Sequence, residues 1–247
     1  MDTEFLWRAE LAFRAGWPAK HETELAGWVA RRSGGSIRRV NSLNQMPGCQ
    51  TLDDALLDRT EAHYARFDQP AIVRLISFAG AAPESALVRR GYEVNGRTTA
   101  LSASLLRFWQ EPEEGIIVSG RPEAVWLDAR SRVADRDPVL FQSMLDLIKG
   151  PTLFAGACID GVIHSVGYGV IVDGLLVIES VATETAHRGR GLARKVVGSL
   201  MHWATARGIN DVVLQVETDN APARALYRSL GFTTELFDYF YMRQPQS

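Results

Sequence analysis

Leu175-Leu-Val-Ile-Glu-Ser-Val-Ala-Thr183, followed by Glu184-Thr-Ala-His-Arg-Gly-Arg-Gly-Leu-Ala-Arg194, is the stretch on which the reading of this sequence turns. Apolar residues occupy both alternating faces of 175–183, so this strand is expected to be central and covered on both sides. Behind it, Leu192, Val196, Val197, Leu200, Met201 and Ala204 recur at helical spacing, and Gly208 stands just past the last of them. Between strand and helix lie Gly189 and Gly191. A turn of this kind lets successive backbone N–H groups converge, and the helix that starts there adds the positive end of its dipole. The arrangement suits a phosphate or pyrophosphate, although paired glycines also occur in purely structural turns. A P-loop requires Gly-Lys-Ser/Thr, whereas Gly191 is followed by Leu192-Ala193. A dinucleotide fingerprint would place a third glycine where Arg194 stands, and the stretch comes too late in the chain for that fold.

Working outward, the downstream residues predict a strand over 212–216, a helix over 221–230 and a strand over 236–242. Upstream, 152–159 and 162–172 pair around Asp160-Gly161, and Asp173-Gly174 turns the chain into the decisive strand. A strand over 116–119 and a mostly helical stretch over 122–148 precede them. The sheet is therefore mixed, antiparallel first and then parallel through a βαβ unit. In the first half, 3–14 reads as a helix with Phe5, Leu6, Ala9, Ala12 and Phe13 on one side. Two strands, 25–32 and 36–43, are expected around Ser33-Gly34-Gly35. A helix capped by Thr51, a strand over 71–76, a helix ending at Gly91 and a strand over 98–105 complete an α+β unit. Glu111-Pro-Glu-Glu-Gly115 is the best linker, which places units at 1–110 and 115–247.

The sequence has 247 residues, 46% of them hydrophobic, and a formal net charge of -2. A core of ordinary size is available, and nothing in the charge favours nucleic acid or an anionic membrane surface. The pairs Arg31-Arg32 and Arg38-Arg39 are expected on a solvated strand edge. Cys49 and Cys158 give neither a disulfide framework nor a metal spacing, which fits a reducing cytoplasm and no bound metal. The acidic start and the lack of an apolar run near the ~20 residues of a bilayer span predict a soluble protein without signal peptide.

Arg188-Gly-Arg-Gly-Leu-Ala193 resembles the Arg/Gln-x-x-Gly-x-Gly/Ala signature of the GNAT superfamily of acyl-CoA-dependent N-acyltransferases. Asn220-Ala-Pro-Ala-Arg-Ala-Leu-Tyr-Arg-Ser-Leu-Gly-Phe232 resembles the later Asn…Leu-Tyr-x-x-Leu-Gly-Phe segment of the same superfamily. Two motifs in order, one helix and one strand apart, make the match specific over about residues 115–243. The resemblance implies a mixed-sheet GNAT fold, and the first half, which has the same element order but no such turn, resembles the N-terminal unit of tandem members. It implies acetyl-CoA as co-substrate: the backbone of Val181, Ala182 and Thr183 on the pantetheine arm, and the turn of Arg188, Gly189, Arg190, Gly191, Leu192, Ala193 and Arg194 on the pyrophosphate. Asn220 faces the coenzyme or simply caps the next helix, and two strands splay to admit the acyl-thioester.

For the chemistry, an amine with a pKa near ~10 must lose a proton before it attacks the thioester. A backbone N–H near Val181–Thr183 is expected to stabilise the oxyanion. Tyr227, at the family's position, is the expected acid for the leaving thiolate, against a reading as a packed aromatic. Glu179 is the expected base, because an unpaired carboxylate in mid-strand would cost several kcal/mol. An ion pair with an arginine would explain it equally well. Gln215 stands where some members carry a glutamate base. Glu217 is the fallback, and His164 and His187 are weaker choices. The expected partner is a small-molecule or peptide amine whose identity is not legible. Trp126, Asp128 and Met144 fall where acceptor-binding helices usually lie, but each also reads as ordinary core or surface. A non-catalytic acyl-CoA sensor is the alternative function.

Overall fold

The computed structural model describes residues 2–48, 51–80, 82–106, 108, 114–133 and 138–245. Its strands are β1 (His21–Leu25), β2 (Trp28–Arg32), β3 (Leu43–Gln45), β4 (Ile72–Ile76), β5 (Glu93–Ser104), β6 (Ile116–Ser119), β7 (Thr152–Ile159), β8 (Val162–Val172), β9 (Leu175–Thr183), β10 (Asp211–Glu217) and β11 (Thr234–Arg243). The α-helices are α1 (Thr3–Gly16), α2 (Asp54–Ala65), α3 (Ala82–Arg89), α4 (Ala124–Val133), α5 (Pro138–Leu145), α6 (Leu192–Thr205) and α7 (Ala221–Ser229). These strands form one sheet in the order β1-β2-β3-β4-β11-β5-β10-β9-β8-β7-β6.

The sheet is mixed as the sequence predicts. β8 pairs antiparallel with β7 and β9, and β10 pairs parallel with β9 after the α6 crossover. The two halves of the sequence interleave at its centre. β5 from the first half lies between β10 and β11, while β11 from the second half lies between β4 and β5. Each half thus satisfies its backbone groups with a strand of the other. Of the expected linker, Glu111–Glu113 lie outside the described residues. Gly115 accepts a hydrogen bond from the Cys158 N–H at 2.7 Å, which fixes the chain at the start of β6.

The decisive strand is covered on both faces. Leu176 and Ile178 of β9 join Leu214 and Val216 of β10 under Leu192, Val196, Val197 and Leu200 of α6. Leu175 and Val177 face the other way, onto Leu6, Ala9, Ala12 and Phe13 of α1. Period-2 alternation in a central strand therefore sends Glu179, two residues after Val177, to the α1 face. Glu10 of α1 is also buried there, in a two-pronged pair with the Arg74 guanidinium.

Several local expectations are corrected. The hairpin turn is not Ser33-Gly34-Gly35 but Ala26-Gly27, inside the expected strand 25–32, and both residues have positive φ (49° and 82°). A left-handed alanine is rare, so its sequence signal is weak. Residues 36–42 are not a strand, and the strand that pairs antiparallel with β2 begins only at Leu43. The Asn41 side chain accepts from the N–H groups of Ser33 and Gly34 and donates to the carbonyls of Gly34 and Ile37. These bonds hold the segment as a loop with a 3-10 turn at Arg38–Val40. Asp53 rather than Thr51 caps α2, through Leu56 N–H. The helical stretch 122–148 is two helices, the second begun by Pro138, where a missing N–H is harmless.

Candidate active site

β9 and β10 pair only from Leu175↔Asp211 to Ile178↔Leu214. Beyond that point β10 stays with β5 as far as Glu217, and β9 stays with β8 as far as Thr183. The two strands have parted. A bulge in β9 opens the gap: Tyr168 opposes Glu179 but Val166 opposes Ala182, and Ser180 within the bulge has φ +57°. On the side turned from β8, Val181, Ala182 and Thr183 face no strand, so their main-chain groups can receive an extended, amide-bearing ligand as an added strand.

The turn follows directly. Gly189 and Gly191 adopt φ 75° and 77°, and a Cβ at either position would meet no atom within 4 Å. Their lack of side chain answers a backbone need, with open space beside it. Gly191 is the N-cap of α6 and supplies no side-chain cap. The first N–H groups of a 14-residue helix are thus left to whatever lies in that space. Leu192 is buried under the sheet, while Arg190 is exposed at the turn. Arg188 reaches back to the Thr183 carbonyl at 3.4 Å, and Arg194 donates to Ser229 Oγ at 2.7 Å. Asn220 caps α7 by accepting from Ala223 N–H at 3.1 Å.

Glu179 is 4% exposed and does have an arginine partner. Its Oε2 accepts from Arg39 Nη1 at 2.6 Å and from Trp17 Nε1 at 2.7 Å. Oε1 is buried and without a hydrogen-bond partner among the described residues. Burial raises the carboxyl's pKa, and Arg39 and Trp17 pull it back. Tyr227 is buried beside Phe232, with ring centroids 5.8 Å apart. Burial, aided by the negative charge of Glu179, raises its pKa, so the phenol keeps its proton.

Arg38 and Arg39 correct an expectation. They sit not on a solvated strand edge but on the 3-10 turn of the first half, where they help line a cleft of about 320 Å³ with Thr98, Gln215, Glu217 and Tyr241. The cleft begins one residue past Leu214, where β10 leaves β9, on the α1 side of the sheet. Arg31 is likewise buried. Its guanidinium donates to the carbonyls of Trp17, Arg14 and Arg39 and to Glu22, and burial lowers its pKa to about 10. The fork of donors is satisfied by main-chain oxygens, which a sequence does not display.

His164 and His187 stack 3.7 Å apart, and Glu184 lies within 2.7 Å and 3.4 Å of their Nδ1 atoms. One ligand atom from each of the three lies within 4.8 Å of the others, a spacing that could hold a metal ion. Arg132 also pairs with Glu184 and completes the network beneath the turn. Trp126 and Met144 are core, with Trp126 donating to the Ala155 carbonyl. Asp128 lies on a separate surface hollow between α4 and α5. Sequence reasoning missed Trp17, Arg38, Arg39, Tyr239 and Tyr241. Only the buried carboxylate gave notice that some partner must exist.

Residues 6–239 match the model of a family described as probable histone acetyltransferase Rv0428c C-terminal. The uncharacterized N-acetyltransferase YobR of Bacillus subtilis is 23% identical over 232 residues, 89% of this chain and 91% of the relative. A GCN5-related N-acetyltransferase from Kribbella flavida superposes with a TM-score of 0.72 at 18% identity, covering 97% of this chain and 94% of that one. A tandem GNAT protein from the clavulanic acid biosynthesis pathway superposes with a TM-score of 0.63 at 12% identity, over 83% of this chain and 76% of that one. No helix among the described residues is long and apolar enough to cross a membrane.

Proposed function

Because this chain belongs to the Rv0428c C-terminal family, within the GNAT superfamily of N-acetyltransferases, we propose that it moves an acetyl group from acetyl-CoA to a primary amine by direct attack. The observation that carries the reading is the parting of β9 and β10 immediately before the glycine turn. Val181, Ala182 and Thr183 would bind the pantetheine amides. The main chain of Arg188–Arg194 at the start of α6 would bind the diphosphate, with Asn220 nearby on α7. We assign residues 115–247 as the coenzyme-binding unit. Residues 1–110 are a degenerate partner that holds no coenzyme and supplies one wall of the acceptor cleft through Arg38 and Arg39.

In the reaction the amine nitrogen bonds to the thioester carbonyl carbon, and the carbon–sulfur bond breaks. The amine's proton passes to a base and a proton is returned to sulfur. Glu179 is assigned as the base through Oε1, the lobe free of Arg39 and Trp17. Tyr227 is assigned as the donor to sulfur. With its pKa raised, its contribution is a hydrogen bond to the developing thiolate, and complete proton transfer ends with solvent. A main-chain N–H in the bulged end of β9 is assigned to the oxyanion.

Free-thiol release from acetyl-CoA across a panel of amines tests the proposal. The expected result is amine-dependent release that Tyr227→Phe lowers by about 10-fold or more, within the range of a lost transition-state donor, while coenzyme affinity holds. Coenzyme binding with no amine-dependent release would instead identify an acyl-CoA sensor.

A further inference from the structure

Resting on the acetyltransferase reading, we propose that the acceptor is a small amine that also carries an anionic oxygen group, a carboxylate or a phosphate, and that Arg38, Arg39 and Gln215 hold that group. The cleft wall is rich in donors and poor in acceptors. Gln215 spends its Oε1 on the Tyr239 hydroxyl at 2.9 Å. Its Nε2 is buried with no acceptor among the described residues. A buried amide donor without an acceptor is unfavourable, so an oxygen from the ligand is the natural partner. Arg39 donates through Nη1 to Glu179, lies over the Trp17 ring and lines the cleft. Arg38, one residue earlier, is anchored from behind by the Asn95 carbonyl at 2.7 Å and the Asn95 side chain, and its ring-facing side lies over Tyr241.

The cleft lining holds one carboxylate, Glu217, two residues from Gln215 on the same face of β10. Glu217 lies at the exposed end of β10 and suits the ammonium of an arriving acceptor. Glu179 neutralises the charge of Arg39 without occupying its other N–H groups, so the site offers hydrogen bonds more than bare positive potential. A planar carboxylate or a phosphate fits two adjacent guanidinium groups and an amide. A polyamine or a lysine-rich tail brings only further donors and would leave the wall unsatisfied.

The experiment uses matched pairs of acceptors with the whole protein and acetyl-CoA: γ-aminobutyrate with its amide, β-alanine with its amide, O-phosphoethanolamine with ethanolamine, and spermidine. Thiol release gives kcat/KM, and calorimetry on the CoA-bound protein gives affinity without turnover. The acidic member of a pair is expected to exceed its neutral partner by 10-fold or more in one or both readouts. Arg38→Ala should erase that preference by raising KM for the acidic member, with coenzyme affinity unchanged, and Arg38→Lys should restore it in part. Acidic members that bind in an Arg38-dependent way without releasing thiol would support the pocket and fail the acetyl-transfer reading. Preference for spermidine or the neutral members, or acidic members that neither bind nor react, would overturn the inference even if acetyl transfer itself is found.

Discussion

Replacing Arg39 by methionine tests the link that ties the first half of the sequence to the decisive strand of the second. Arg39→Met removes the 2.6 Å partner of a carboxylate that is 4% exposed and leaves Trp17 as the sole donor on Oε2. Breaking a buried pair from one side costs about 3–5 kcal/mol. Arg39 itself is 24% exposed and Trp17 remains, so the low end applies, about 3 kcal/mol, or roughly 6–12 °C in Tm for a chain of this size. The pH dependence has a definite sign. Burial already holds the Glu179 pKa above the ordinary carboxylate value, with Arg39 opposing it. Between the ordinary value and the raised one, the folded state binds more protons than the unfolded, so this group lowers stability as pH rises. Loss of Arg39 extends that window upward. The variant's deficit should therefore be smallest at acid pH and grow toward neutral and mildly alkaline pH. Urea denaturation across that range, on wild type, Arg39→Met, Glu179→Gln and the double variant, reads the effect. Glutamine still accepts from Trp17 but carries no charge, so the double variant should recover about 2 kcal/mol relative to additivity. A deficit independent of pH, or additivity within about 0.5 kcal/mol, would refute the reasoning.

The glycine turn should be intolerant at Gly191, whose φ of 77° a Cβ disfavours by about 1–2 kcal/mol even though nothing crowds it. Gly191→Ala is expected to lower Tm by several degrees and weaken acetyl-CoA binding by calorimetry, and unchanged values for both would remove the turn from the site. Asn220→Ala should cost about 1 kcal/mol from the lost α7 cap, seen in chemical denaturation. If it leaves stability intact but weakens coenzyme binding, Asn220 serves the ligand and not the helix. Because β5 and β11 each sit among strands of the other half, residues 1–110 and 115–247 expressed apart should each lack cooperative unfolding and regain it only when mixed. A cooperative transition from either piece alone would show that the interleaving is dispensable.

The sequence by itself determined the elements of the second half and the glycine turn before α6. Local regularities carried that information: alternation through 175–183, helical spacing from Leu192, Asp-Gly hairpins, and glycines whose backbone angles the structure shows to be needed. The mixed sheet and the coverage of β9 followed from the same periodicities. Tertiary structure alone decided the rest. Whether Glu179 meets a substrate or an arginine depended on a contact 140 residues away, and its other donor, Trp17, is 162 residues away. The reciprocal seating of β5 and β11 is a matter of strand order, which hydrophobic period cannot encode because every central strand shows the same pattern. Arg38 and Arg39 looked like solvent-facing charge, since one chain of letters does not reveal which carbonyls and carboxylates will gather around a guanidinium. Short-range patterns fix elements; the partners of buried charges are chosen by long-range packing.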